Sequence, residues 1–278
     1  MKILETFEID DCRCIEPTLM EHLEEGYTKM AVSIEAGEAR LLIDEREDPI
    51  ALALNDSGKW VVSSFIFRDP RLSVIEKFEE CGGDLFQEER SSYTDSIREY
   101  YCRDILRDFP DVPEDNRPGR DQMILELLEE VFGHRCGNTK TATDFCCGSG
   151  VATSVLNNMG KNTLAFDLDA SLISLGLRKG RLDPMKAMCI DGRAASVFCP
   201  ESDICVALML GDINNINYMI WESMIGEILA IGKKSVITVA TKEESERVKG
   251  WLKDEGASVS SYENPRDPIY DRYVLVAE

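Results

Sequence analysis

A chain of 278 residues is longer than one typical domain and short for three, and 44% apolar residues suffice for a sizeable core. Its net charge of −21 is spread over both halves, with 29 acidic against 15 basic residues up to position 120 and 23 against 16 beyond it. That balance argues against nucleic acid as a partner, because such affinity comes largely from Lys and Arg releasing counterions. No apolar run is long enough to cross a bilayer, and the opening MKILETFEIDD has no signal-peptide pattern. The ten cysteines show neither CxxC nor an iron–sulfur spacing, and His22 and His134 are too few for a histidine metal centre. The expectation is a soluble cytoplasmic protein, off the membrane, with reduced thiols and no bound metal.

From Thr28 to Phe67 the runs KMAVSI, ARLLID, IALAL and KWVVSSFIF are separated by turn residues, which reads as an antiparallel meander. Helices are predicted from Leu72 to Glu80 and from Tyr93 to Asp108, the latter carrying Tyr93, Tyr100 and Tyr101. The stretch FPDVPEDNRPGR then interrupts regular structure and is read as the boundary between residues 1–118 and 119–278.

Beyond it strand and helix alternate. Ile124, Leu127, Leu128 and Val131 mark one face of a helix; TATDF is a strand; a turn with Gly148 and Gly150 leads into a helix from about Val151. TLAF is the next strand, after which Asp169 can cap a helix running to Gly180. Strands follow at KAMCI and DICVALML. Ile220, Met224, Ile228 and Ile231 line a helix stopped by Gly232, ahead of the strand SVITVA. A helix through Val248, Trp251 and Leu252 stops at Gly256, and ASVSSYE and RYVLVAE close the chain as an antiparallel pair. This rhythm predicts a parallel sheet covered on both faces.

The Gly148–Gly150 turn lacks the third small residue of the dinucleotide fingerprint and the Gly-Lys-Ser/Thr ending of a phosphate loop. Three acids gather instead where strands end: Asp144, Asp167 and Asp191. In an open α/β sheet ligands bind outside the carboxyl ends of the strands, so these carboxylates should converge on one crevice. Such a ring suits a cationic ligand with a diol and an amine better than a dinucleotide. Each acid has a plainer reading as a loop or helix cap. The Cys146-Cys147 pair reads as small packing residues rather than a nucleophile.

Here the sequence resembles the class I S-adenosylmethionine-dependent methyltransferases, over roughly Arg120 to Glu278. DFCCGSG is similar to the family's first motif, an acid followed by GxGxG, with Cys146 where the first glycine usually stands. LAFDLDASL resembles the second motif, whose acid, here Asp167 followed by Leu168, binds the ribose hydroxyls. CIDGRAA resembles the third, whose acid, here Asp191 followed by Gly192, meets the adenine amine. ESDICVALML is similar to the fourth, ending in Leu210 and Gly211. The resemblance implies S-adenosyl-L-methionine as cofactor. It also implies a seven-stranded, mostly parallel Rossmann-like sheet with an antiparallel terminal strand, preceded by a smaller α+β domain.

The resemblance further implies methyl transfer to a small-molecule or protein acceptor. In GDINNIN, Asp212, Asn214 and Asn215 are the candidates for holding or deprotonating the acceptor, against a plain reading as a polar helix-starting loop. No NPPY-like tetrad and no Pro-Cys nucleophile follows that strand. Arg117 and Arg120 could reach the cofactor's carboxylate or stand as loop charges, and the three tyrosines could cover the pocket or pack. The N-terminal domain is assigned to acceptor choice, with homodimer formation as its alternative. Two other readings stay open: an NAD-type oxidoreductase or another transfer reaction on the same cofactor fold, such as aminopropyl transfer, and a cofactor-binding adaptor without catalysis.

Overall fold

In a computed structural model, describing residues 1–110 and 112–278 apart from the Arg135 side chain, the chain forms two units, Met1–Asp104 and Ile105–Glu278. Asp111, within the stretch read as a boundary, lies outside the described residues.

The first unit holds β1 (Cys12–Cys14), β2 (Ala39–Ile43), β3 (Pro49–Asp56), β4 (Lys59–Ser64) and β5 (Gly83–Gln87), with α1 (Lys2–Phe7), α2 (Glu25–Val32) and α3 (Leu72–Cys81). The strand order is β1-β4-β3-β2-β5. β2, β3 and β4 form the expected antiparallel meander, while β1 and β5 extend it by parallel pairing at the two edges. One expectation is corrected: most of KMAVSI lies in α2 rather than in a strand. Thr28 and Ala31, three apart, are buried while Met30 is 53% exposed, so the run buries one helical face and not alternate residues. α4 (Arg90–Asp108) is the helix in which the division between units falls.

The tyrosines of α4 pack inside the first unit. Tyr93 is fully buried edge-on to Phe7, the Tyr100 hydroxyl accepts from the Cys14 amide, and Tyr101 donates to the Glu16 carbonyl and meets His22 Nε2 at 2.7 Å. A buried Arg68 pairs with Glu16 and donates to Ser63 Oγ, Thr28 Oγ1 and the His22 carbonyl. Burial, reinforced by Arg68, lowers the His22 pKa to about 3, so this imidazole is neutral.

The second unit contains β6 (Thr141–Phe145), β7 (Asn162–Asp167), β8 (Ala187–Cys189), β9 (Ile204–Ala207), β10 (Ser235–Val239), β11 (Val259–Glu263) and β12 (Tyr273–Ala277). Its helices are α5 (Arg120–Phe132), α6 (Val151–Asn158), α7 (Ala170–Arg178), α8 (Ala195–Phe198), α9 (Tyr218–Ile231) and α10 (Lys242–Asp254). The strand order is β11-β12-β10-β9-β6-β7-β8, parallel except for β12, which runs against both of its neighbours.

Local chemistry explains the ends of these elements. Asp169 caps α7 by accepting from the amides of Ser171 and Leu172, and Thr241 with Glu244 forms a reciprocal capping box on α10. Every residue of β9 and β10 is buried, as strands covered on both faces require. Ile124, Leu127 and Leu128 of α5 join Val155 and Leu156 of α6 over Ala142, Ile204, Val206 and Val236 of the sheet. From β6 the chain adds β7 and β8 on one side and then crosses to β9 on the other. That reversal opens a crevice at the carboxyl ends of β6 and β9. Among the described residues no helix is long and apolar enough to cross a membrane, and all ten cysteines are free thiols.

Candidate active site

The turn between β6 and α6 uses its two glycines for different purposes. Cys146, Gly148 and Gly150 all adopt left-handed backbone, with φ of 55°, 54° and 76°. A Cβ on Gly148 would meet nothing nearer than Leu172 Cδ1 at 3.9 Å, so this stretch of bare backbone faces open space. A Cβ on Gly150 would lie 2.5 Å from Leu182 Cδ2, so this glycine is required by packing. Cys146 bears the left-handed strain without being glycine, a cost of about 1–2 kcal/mol. Strain of this kind gathers where a backbone must meet a ligand.

The open space is a cavity of about 450 Å³. Residues 146–149 of the turn, Asp167 and Leu168 at the end of β7, Gly192 beyond β8 and residues 208–211 beyond β9 form its walls. Asp144 lies at its base, and Arg120 and Ile124 of α5 with Trp221 and Met224 of α9 complete it. Gly192 lets the Phe145 ring come close, since a Cβ there would sit 3.0 Å from it, and Gly211 does the same for Trp221 at 3.3 Å.

The three acids differ. Asp167 accepts from the Gly148 amide at 2.8 Å and the Asp169 amide at 2.9 Å, tying the end of β7 to the turn. Burial raises its pKa. Asp144 is 1% exposed and accepts from Thr153 Oγ1 at 2.6 Å. Burial pushes its carboxyl up to about 7; Asp167 adds to the rise, while Thr153 and Arg120 oppose it. Asp191 is on the same edge of the sheet but does not border the cavity. Its carboxylate accepts from the Arg193 amide and forms an ion pair with that residue's guanidinium, which holds its pKa below the ordinary carboxylate range.

The raised Asp144 pKa has a consequence for stability. Near pH 2 both folded and unfolded chains carry the proton; as pH rises through the ordinary carboxylate range toward 7 only the unfolded chain ionises freely, so this group's contribution to stability is lost across that window. Asp144→Asn keeps an acceptor for Thr153 and should be more stable than wild type at about pH 8, by on the order of a few kcal/mol of unfolding free energy and a correspondingly higher Tm, with the two converging toward about pH 3. Parallel melting curves at both pH values would refute this.

Arginines brace the walls. Arg120 faces Asp271 at 3.4 Å and lies over Tyr270, while Thr238 Oγ1 donates to Asp271 and accepts from the Met209 amide at 2.6 Å. The strand-end residue Met209 and Arg120 on the opposite wall are thereby linked. Arg117 also lies over Tyr270, with Asp267 at 4.0 Å, so neither arginine is a free loop charge. Arg181 makes two 2.7 Å bonds to Glu114 and one to Ser149 Oγ, fastening the segment before α5 to the turn and bringing Asp115 to the cavity.

The loop after β9 does not deliver its polar side chains to the cavity. Asn214 Oδ1 accepts from the amides of Ile216 and Asn217, Asn214 Nδ2 donates to Asp212, and Asn215 accepts from Arg247. Glu244 of the α10 capping box also holds the Ile213 amide at 3.0 Å. These bonds shape the loop, as Asx side chains beside a helix start commonly do.

Of the residues singled out in the sequence, Asp144, Cys146, Gly148, Asp167, Leu168, Gly192, Leu210, Gly211 and Arg120 border the cavity. Gly150, Asp191, Asp212, Asn214 and Asn215 lie outside its wall. Burial and the nearby Asp167 hold the Cys146 thiol protonated, and burial does the same for Cys147, so neither is an activated nucleophile. Sequence reasoning missed Trp221 and Met209. Trp221 precedes the helix-face residue Met224 by three, a spacing that places both on one side of α9.

No family model matches the sequence, and no curated protein matches it. Among solved structures the chain is similar to magnesium protoporphyrin IX methyltransferase from Synechocystis PCC 6803 with bound SAM, at 15% identity over 66% of this chain and 97% of that one, with a TM-score of 0.45. It is also similar to precorrin-6y C5,15-methyltransferase from Geobacter metallireducens GS-15, at 12% identity, 60% and 93% coverage and a TM-score of 0.43. A putative RNA methyltransferase from Pyrococcus horikoshii is similar at 13% identity, 63% and 94% coverage and a TM-score of 0.42. The sheet order, with β12 alone reversed, is the seven-stranded, mostly parallel Rossmann-like arrangement expected from the sequence.

Proposed function

We infer that the protein is an S-adenosyl-L-methionine-dependent methyltransferase acting on a small-molecule or protein acceptor. The observation that carries this reading is the cavity at the reversal of strand order, walled by the Gly148 backbone and the Asp167 carboxylate hydrogen-bonded to it. Asp167 has both oxygens held by backbone amides, so its orientation at the cavity wall is fixed, and a carboxylate held in this way suits a ribose diol. Leu168 and Trp221 offer apolar surface that suits a purine, and Arg120, braced by Asp271, supplies a charge that suits a carboxylate. Asp144 beneath the turn suits a ligand carrying positive charge.

The cofactor when bound supplies a sulfonium methyl group: an acceptor lone pair bonds to the methyl carbon while the carbon–sulfur pair stays with sulfur. No acid is needed for a neutral thioether to leave, so the protein's contribution is to position two molecules. Asp191 enters an adenine contact only if it leaves Arg193, and Asp212, Asn214 and Asn215 serve here as the frame of the rim.

Asp167→Ala is expected to weaken S-adenosylhomocysteine binding by about 1–3 kcal/mol, the cost of a lost charge-assisted hydrogen bond. Calorimetric titration reads it, and unchanged affinity in a folded variant would remove Asp167 from the site. Catalysis itself is tested by transfer of labelled methyl groups into extract fractions sorted by size. Cofactor binding without any label transfer would favour the adaptor reading.

A further inference from the structure

Among the described residues twelve large hydrophobic side chains are exposed, and five of them, Met209, Ile216, Tyr218, Met219 and Ile220, fall within one short segment. The stretch from Ile216 to Ile220 is flanked in sequence by cavity-wall residues, 208–211 before it and Trp221 and Met224 after it. Met209 lies on the cavity wall itself, and α9 begins at Tyr218.

The geometry of α9 makes the patch continuous with the cavity. Ile220, Met224, Ile228 and Ile231 form one helical stripe; the last three are buried, Met224 and the neighbouring Trp221 line the cavity, and Ile220 emerges 45% exposed. The core stripe thus runs out of the protein at the cavity mouth. Ile216, 94% exposed, stands on the loop beside it. No Asp, Glu, Lys, Arg or His occurs between Asp212 and Glu222, in a chain where 30% of residues are charged. Exposed apolar patches of this kind mark ligand or partner sites.

Resting on the methyltransferase reading, we propose that the acceptor is a small organic molecule with an apolar face and no negative charge, held against Met209, Tyr218, Ile220 and Trp221 at the cavity mouth. Three observations select this occupant. A cavity of about 450 Å³ is of the size filled by one cofactor-sized ligand, so the acceptor must meet the methyl group at the rim. The segment between Asp212 and Glu222 carries no Lys or Arg; Arg247, which touches it at Asn215, is shared with Glu243; and the net charge of −21 repels an anionic acceptor. The same lack of Lys and Arg in that segment disfavours an anionic lipid surface.

The test is a fluorescence titration of the full chain, saturated with S-adenosylhomocysteine, by N-phenyl-1-naphthylamine and separately by its 8-sulfonate, the same rings with a fixed negative charge. The neutral probe should bind at least about tenfold more tightly than the sulfonate, and Ile220→Glu should weaken it about tenfold, the effect of losing one buried aliphatic contact. Glutamate suits the third position of a helix, so the variant should fold. Leu72→Glu, at a 72% exposed apolar position in the first turn of α3, should leave probe binding within about twofold of wild type.

Equal binding of the two probes, or neutral-probe binding untouched by Ile220→Glu, would overturn the proposal. So would sedimentation showing a wild-type dimer that Ile220→Glu splits, because a second copy would then be the occupant. Failure of wild-type protein to bind S-adenosylhomocysteine would instead strike the cofactor reading beneath it.

Discussion

Gly148→Val should abolish measurable binding of S-adenosylhomocysteine, a loss of at least about a hundredfold in affinity, in a chain that still folds. Two effects add. The residue sits at φ 54°, where a branched side chain is strained by about 1–3 kcal/mol. The new side chain meets no protein atom closer than 3.9 Å at its Cβ and therefore grows into the cavity, against the backbone that must approach the ligand. Gly148→Ala imposes less strain and a smaller obstruction, so it should fall between wild type and valine. Calorimetry for binding and thermal melting for folding separate the two effects. Wild-type affinity in the valine variant would mean that the ligand does not touch this turn.

Gly176→Val should cost about 3 kcal/mol or more in stability although Gly176 is not itself part of the cavity wall. Removing a glycine from a helix interior ordinarily stabilises it, by about 1 kcal/mol for alanine. Here a Cβ would lie 2.6 Å from Leu182 Cδ1 and 2.7 Å from the Ser149 carbonyl oxygen, and Leu182 is buried and cannot swing away. The turn, α7 and the segment carrying Arg181 and Leu182 pack against one another through Gly150 and Gly176. Denaturant unfolding checks this, and a melting point equal to wild type would show that α7 can retreat from the turn without loss.

The C-terminal unit was legible because its signals are local. Asp169 and Gly232 stand at the ends of the helices they were read to bound, and the alternation of strand and helix dictated a parallel sheet with a final reversed strand. The site was legible to the extent that strand ends define it: Asp144 and Asp167 meet there because β6 and β7 are neighbours in the sheet. Asp191 belongs to the same edge, yet Arg193, two residues along, takes its carboxylate. Contacts across long stretches of sequence left no such trace. Arg120 finds Asp271, and Glu114 finds Arg181, only once the fold brings them together. Gly150 belongs to the GxG pattern, yet the residue it accommodates, Leu182, is remote from that pattern in sequence.

The first unit was harder to read. β1 has three residues and β5 is mostly exposed, so neither carries the alternation that marks a half-buried strand. Both join the meander through parallel pairing, which no hairpin turn announces.

The central claim, that the cavity between β6 and β9 accepts an adenosyl-methionine compound, is tested most directly by calorimetric titration of the full-length wild-type chain with S-adenosylhomocysteine and, in parallel, with NAD. The account predicts saturable heat at one site per chain for the thioether and none for the dinucleotide; saturation by NAD alone would contradict it.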